Sequence, residues 1–131
     1  MTEQELLEQA LKARDLAYAP YSHFQVGAAV ETRDGRVFLG GNIENASYPL
    51  TNCAERTALF SALAAGYRPE DFKALAVSGD TADPIAPCGA CRQVMIELGG
   101  ADLPVLMTNL KGDVARSTAG ELLPGAFVSL D

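Results

Sequence analysis

A three-layer α/β/α sandwich around a mixed sheet of about five strands is the fold class this sequence predicts. Three observations carry it. An amphipathic helical segment opens the chain, a hairpin pattern with an Asp34-Gly35 turn follows, and two strand–helix–strand units complete it. A hairpin is antiparallel, whereas crossover units favour parallel pairing, so the sheet mixes both directions.

Each element has its own signal. Thr2 and Glu5 stand at capping-box spacing, and Leu6, Leu7, Ala10, Leu11 and Ala17 recur at helical spacing, which predicts a helix over about residues 3–18, stopped by Pro20. Phe24 to Thr32 is rich in Val and Ala and predicts a buried strand; Val37 to Gly41 returns beyond the turn. Asn42 to Asn52 is polar, carries Pro49, and predicts a loop. Cys53 to Ala65 has helical spacing and ends at Gly66, a natural C-cap. Phe72 to Ser78 predicts a strand, Gly79 to Pro87 a loop, and Gly89 to Leu98 a short helix ended by Gly99-Gly100. Pro104 to Thr108 and Val114 to Thr118 predict the last strands, and Leu122 to Asp131 a tail.

Composition bounds the function. The 131 residues fit one domain, 1–131, and 48% hydrophobic content suffices for a core without disulfide staples. A net charge of −7 and a pI near 4.6 exclude a protein that tracks nucleic-acid phosphates, because such affinity rests on Lys and Arg. A neutral small molecule meets no such repulsion. No apolar run approaches the ~20 residues that span a bilayer. The opening MTEQELLEQALKARD lacks the pattern of a secretory signal, so the expected location is cytoplasmic, without a membrane partner. Three cysteines, an odd number, argue against a disulfide framework.

Those cysteines all fall at predicted helix starts. Cys53 opens one helix, and Cys88 and Cys91 flank the start of another as Pro87-Cys88-Gly89-Ala90-Cys91. Unpaired amides and the helix dipole favour thiolate there. Two such termini meeting at a sheet edge can hold three thiolates around one metal. Three protein ligands leave one tetrahedral position open for water, the catalytic arrangement of zinc; structural sites are closed by four. His23, the only histidine, precedes the first strand without a motif partner and is not expected to be a ligand. A CxxC alone serves a thiol redox pair as readily as a metal. Glu55, two residues after Cys53, weighs for metal, since a carboxylate on the first turn can reach the open face and move a proton. Taken singly, such a Glu is commonly a solvated residue favouring the helix dipole.

Cys53-Ala54-Glu55 followed by Pro87-Cys88-x-x-Cys91 resembles the signature of the cytidine deaminase superfamily. The likeness extends along nearly the whole chain. Residues 20–29 (PYSHFQVGAA), 41–48 (GNIENASY), 51–58 (TNCAERTA) and 87–93 (PCGACRQ) are similar to motifs of the small homotetrameric cytidine deaminases, in order and at fitting spacing. The resemblance implies zinc-dependent hydrolysis of free cytidine and deoxycytidine to the uracil nucleosides and ammonia, in pyrimidine salvage. It implies Cys53, Cys88 and Cys91 as zinc ligands and Glu55 as general acid and base. It implies Phe24 against the pyrimidine, Asn42 and Glu44 on the ribose hydroxyls, the Ala54 backbone on the base and Arg56 on the ligand sulfurs. Phe127 would reach a neighbouring subunit's site in a homotetramer.

These roles make chemical sense. Three thiolates leave Zn²⁺ with a net negative site, and a cation such as Arg56 restores its Lewis acidity. Asn42 and Glu44 alternate at a strand end and can face one side. Phe24 and Phe127 suit a hydrophobic core equally well. Other readings predict different things. A same-fold deaminase of another free nucleoside, such as a nucleoside antibiotic, or of RNA differs only in substrate, and the acidic charge weighs against RNA. A structural zinc module requires a fourth ligand and gives no reason for Glu55. A thiol redox protein requires no metal.

Overall fold

Residues of the three central strands alternate between two separate cores. The computed structural model describes residues 1–130; Asp131, the end of the predicted tail, lies outside them. The strands are β1 (Val26–Thr32), β2 (Val37–Gly41), β3 (Phe72–Gly79), β4 (Pro104–Thr108) and β5 (Val114–Thr118), in sheet order β2-β1-β3-β4-β5. Only β3 and β4 pair in parallel; β1 is antiparallel to both β2 and β3, and β5 is antiparallel to β4. The mixed five-stranded sheet is the one the sequence predicts.

On one face Ala29, Ala76 and Leu106 pack against Leu6, Leu7 and Ala10 of helix α1 (Glu3–Ala13). On the other, Ala28, Val30, Leu75, Val77, Val105 and Met107 pack with helices α2 (Ala54–Ala64) and α3 (Gly89–Gly99). Period-two alternation thus assigns odd and even residues of a strand to different layers. A final turn of helix, α4 (Ala119–Leu122), follows β5. It lies at the boundary of the segment read as tail. Its signal was present: Thr118 Oγ1 accepts the Glu121 N–H, at capping-box spacing.

Two predicted boundaries move. The Thr2–Glu5 capping box forms, but α1 ends at Ala13 and passes through a 3₁₀ turn, Arg14–Leu16, rather than continuing to 18. Tyr18 is drawn out of the helix by pairing with the chain after β2: its N–H donates to Asn42 O (2.8 Å), and its carbonyl accepts the Glu44 N–H (2.8 Å). The first strand begins at Val26, not Phe24, because a side chain replaces the ladder there. Asn42 Oδ1 accepts the Val26 N–H (2.9 Å), and Asn42 Nδ2 donates to Phe24 O (2.8 Å).

Helix α2 lies directly on the β2 backbone at Gly40. A Cβ added there would stand 2.4 Å from Ala58 N and 2.5 Å from Ala54 O. Both are backbone atoms, so the helix itself would have to move. Gly40→Ala is therefore expected to destabilise the fold by about 3 kcal/mol, the upper end of overpacking costs. Gly89→Ala, where an added methyl meets nothing within 4 Å, should cost far less. Urea unfolding midpoints of the two variants check this; equal midpoints would contradict it.

Candidate functional site

Cys53 is the N-cap of α2 and Cys88 the N-cap of α3, both with extended backbone and neither using its side chain to cap. The sulfurs turn towards each other instead. Cys53 Sγ and Cys88 Sγ lie 3.8 Å apart, and the sulfurs of Cys53, Cys88 and Cys91 all lie within 4.8 Å of one another. No two are bonded; all three are free cysteines. The sequence expectation that two helix starts meet is fulfilled, because α2 and α3 lie on the same face of the sheet.

This donor set fits a thiophilic metal. Arg56 Nη2 donates to Cys53 Sγ at 3.2 Å. Burial works against the Arg56 charge, but its hydrogen bonds to the Cys53 and Cys91 sulfurs outweigh this and raise its pKa. The thiol of Cys91 hydrogen-bonds Cys53, and this bond, with help from Arg56, holds the Cys53 pKa at about 5; the same bond and burial push Cys91 up. The Cys91 thiol is thus held protonated, and a metal binding its sulfur would displace that proton. Three thiolates around Zn²⁺ leave one excess negative charge, and Arg56 supplies its counterpart. His23 lies outside this group of sulfurs.

A cavity of about 300 Å³ opens beside the sulfurs. Phe24, Asn42, Glu44, Cys53, Ala54, Glu55 and Cys88 all line it, whereas Cys91 is fully buried behind them. Glu55 is 4% exposed. Burial pushes its carboxyl up to about 7, and the nearby Cys53 charge adds to this. Phe127 does not line the cavity of its own chain. It is 61% exposed, and its carbonyl accepts from Gln93 Nε2 at 2.7 Å.

Asn42 and Glu44 each hold the chain as well as facing the cavity. Glu44 Oε1 accepts the Tyr21 N–H (3.0 Å) and the Ser22 N–H (3.1 Å), and Oε2 accepts the Ser22 hydroxyl. The Ser22 hydroxyl bond keeps Glu44 below its ordinary pKa, hence ionised. Asn42 spends one N–H on Phe24 O and one lone pair on the Val26 N–H of β1, and retains one N–H.

Several residues escaped the sequence reading. Ser22, Tyr48, Thr51, Ile85 and Ala86 also line the cavity. Ile85 and Ala86 stand just before Pro87-Cys88, so the chain entering α3 had to pass the sulfurs; that adjacency was the available signal. Arg92 is a bracket: Nε donates to Pro87 O (2.8 Å) and Nη1 to Leu122 O (2.9 Å), tying the loop before Cys88 to the C-terminal segment. Among the described residues no helix is long and apolar enough to cross a membrane.

Comparison with known proteins agrees with this geometry. A family model described as "Cytidine and deoxycytidylate deaminase zinc-binding region" matches residues 1–107. The cytidine deaminase of Halalkalibacterium halodurans is 58% identical over 131 residues, covering 100% of this chain and 98% of that protein. The crystal structure of cytidine deaminase from Burkholderia pseudomallei is 67% identical, with a TM-score of 0.96 over 97% of this chain and 100% of that one. That of Mycobacterium tuberculosis is 38% identical, with a TM-score of 0.83 over 98% and 99% of the two chains.

The sulfur cluster predicts about one zinc per chain, lost when any of Cys53, Cys88 or Cys91 is changed to Ala. Arg92→Gln should keep the metal but release it to a chelator about tenfold faster, the lower end of outer-shell effects. Metal analysis and chelator kinetics on the purified protein check both. A full zinc complement in a Cys→Ala variant would contradict the ligand set.

Proposed function

The chain belongs to the cytidine and deoxycytidylate deaminase zinc-binding family, and on that premise we propose that it hydrolyses the exocyclic amine of free cytidine and deoxycytidine. The observation that carries this is one buried carboxylate, Glu55, facing the same cavity as the three-sulfur cluster. Cys53, Cys88 and Cys91 would hold the zinc, which would supply Lewis acidity and lower the pKa of water at the site.

Glu55 moves the protons. It accepts one from the attacking water and delivers it to pyrimidine N3, which makes C4 electrophilic. It then carries the second to the amine leaving C4, so cytidine and water become uridine and ammonia. Arg56 balances the charge of the sulfurs through its bond to Cys53. Phe24 packs against the pyrimidine, and the Ala54 backbone orients the base. The remaining N–H of Asn42 and the ionised Glu44 hold the ribose hydroxyls. Among the described residues no Lys or Arg lines the cavity, which carries Glu44 and Glu55 instead. That favours a neutral nucleoside over a nucleotide, whose phosphate would face two carboxylates.

The protein works as a homotetramer in which Phe127 reaches a neighbouring site. Support comes from exposed apolar side chains, including Tyr48 at 81%, Leu50 at 69% and Phe127 at 61%. Closed dihedral symmetry is the usual solution for four identical chains. Three free thiols suit a reducing compartment, the cytoplasm.

Loss of cytosine absorbance on incubating the zinc-loaded protein with cytidine tests the reading. Glu55→Gln should retain zinc and fold yet lose at least ~100-fold in turnover. Free cytosine, which leaves the ribose-binding groups unpaired, should react far more slowly than cytidine. Near-normal turnover by Glu55→Gln would remove Glu55 from the chemistry, and equal rates on cytosine and cytidine would sink the ribose assignment. Sedimentation at micromolar concentration addresses assembly: a fully active monomer would refute the shared site.

A further inference from the structure

Gly79 is the last residue of β3, and its backbone gives no reason for glycine. It is not among the residues with positive φ. The constraint is what rests on it. A Cβ built at Gly79 would stand 2.6 Å from Ile85 Cδ1 and 3.5 Å from Phe24 Cζ. The second distance is ordinary van der Waals contact; the first is not. Only Ile85 would have to move.

How Ile85 moves is constrained. Its N–H donates to Thr108 O at 3.2 Å, which pins the backbone to the end of β4. The side chain alone must absorb the collision, and Cδ1 is its free end. Ile85 packs against the core on one side and lines the cavity of about 300 Å³ on the other. The core is close-packed and resists intrusion, so the empty side yields. A methyl on Gly79 therefore costs little in folding and is felt as lost cavity.

We propose that Gly79 and Ile85 are a matched pair that sets the depth of the substrate cavity. Gly79 is a positioning residue: its bare Cα seats Ile85 Cδ1 clear of the space taken by the pyrimidine. The pair fixes how large a base the wall admits beside Glu55 and Phe24, which line the same cavity. This rests on the reading of that cavity as the nucleoside site.

A double-mutant cycle on the zinc-loaded protein tests it, with steady-state kinetics on cytidine, zinc content and thermal melting. Gly79→Ala should raise KM about tenfold, the scale of one misplaced methyl in an apolar pocket, and leave zinc content and melting temperature close to the parent's. Ile85→Val removes Cδ1, the colliding atom. The double variant should therefore return to within about threefold of Ile85→Val alone, a rescue that two independent lesions would not give. A Gly79→Ala protein with parental KM overturns the proposal. So does a KM rise that Ile85→Val fails to relieve, or a Gly79→Ala chain that unfolds or sheds zinc. If the zinc-loaded parent leaves cytidine untouched, the functional reading has failed, and the seating is judged separately. The δ1 methyl carbon of Ile85 should shift in Gly79→Ala while those of Ile43 and Ile96, the chain's other isoleucines, stay in place. An unmoved Ile85 methyl overturns it on its own.

Discussion

Three sulfurs within 4.8 Å of one another are the constraint on which the rest of the molecule depends. Like charges at that distance repel, and in a low-dielectric setting they do so strongly. The protein meets this with two helix N-termini, a half-buried cation neighbour and room for a metal. The helix termini come first. The dipoles of α2 and α3 favour negative charge at Cys53 and Cys88, and each cysteine leaves its helix uncapped so that its sulfur can face the other. Arg56, one turn into α2, is close enough to donate to Cys53 Sγ yet leaves its Nε buried without a partner.

Bringing the two helix starts together is a problem of topology, and the sheet solves it. The one parallel pair, β3 with β4, sends the chain through α3, while the connection from β2 to β3 passes through α2 and crosses over β1. Both crossovers lie on the same face, so both helices begin near the same end of the sheet. Close packing then fixes them. At Gly40 the α2 backbone touches strand backbone with no side chain between, which sets the position of Cys53 and Glu55 to the precision of main-chain contact. Helix α1 takes the opposite face, and Gly27 lets its end approach β1 in the same way, since a Cβ there would stand 2.1 Å from Ala10 O. The face with α1 has no part in the sulfur cluster, which leaves the other face free for chemistry.

How much of this was legible in the sequence follows from the range of the forces involved. Helices α1, α2 and α3 and all the strands announce themselves through local periodicity and caps, and the cluster through cysteines at helix starts. What was not legible depends on contacts between distant segments. The early end of α1 follows from Tyr18 pairing with Asn42 and Glu44, which no local pattern encodes. The late start of β1 follows from the Asn42 amide standing in for a ladder partner. Ile85 and Arg92 escaped notice for the same reason. Each looks like an ordinary loop or helix residue until the fold sets Ile85 on Gly79 and Arg92 between Pro87 and Leu122.

The double duty of Asn42 and Glu44 completes the picture. Each uses part of its hydrogen-bonding capacity to hold backbone: Asn42 ties β1 to the end of β2, and Glu44 gathers the Tyr21 and Ser22 amides. A side chain held in this way has already lost its rotamer freedom before any ligand arrives, so its remaining donor or acceptor is oriented at no further entropic cost. The same economy governs Glu55. Its place on the first turn of a helix packed against strand backbone fixes where its carboxylate stands, and burial at 4% exposure keeps water from competing for it. Rigid backbone contact therefore reaches the cavity through Asn42, Glu44 and Glu55. Sequence motifs identify those groups, but their precision comes from glycines and backbone amides that carry no chemistry of their own.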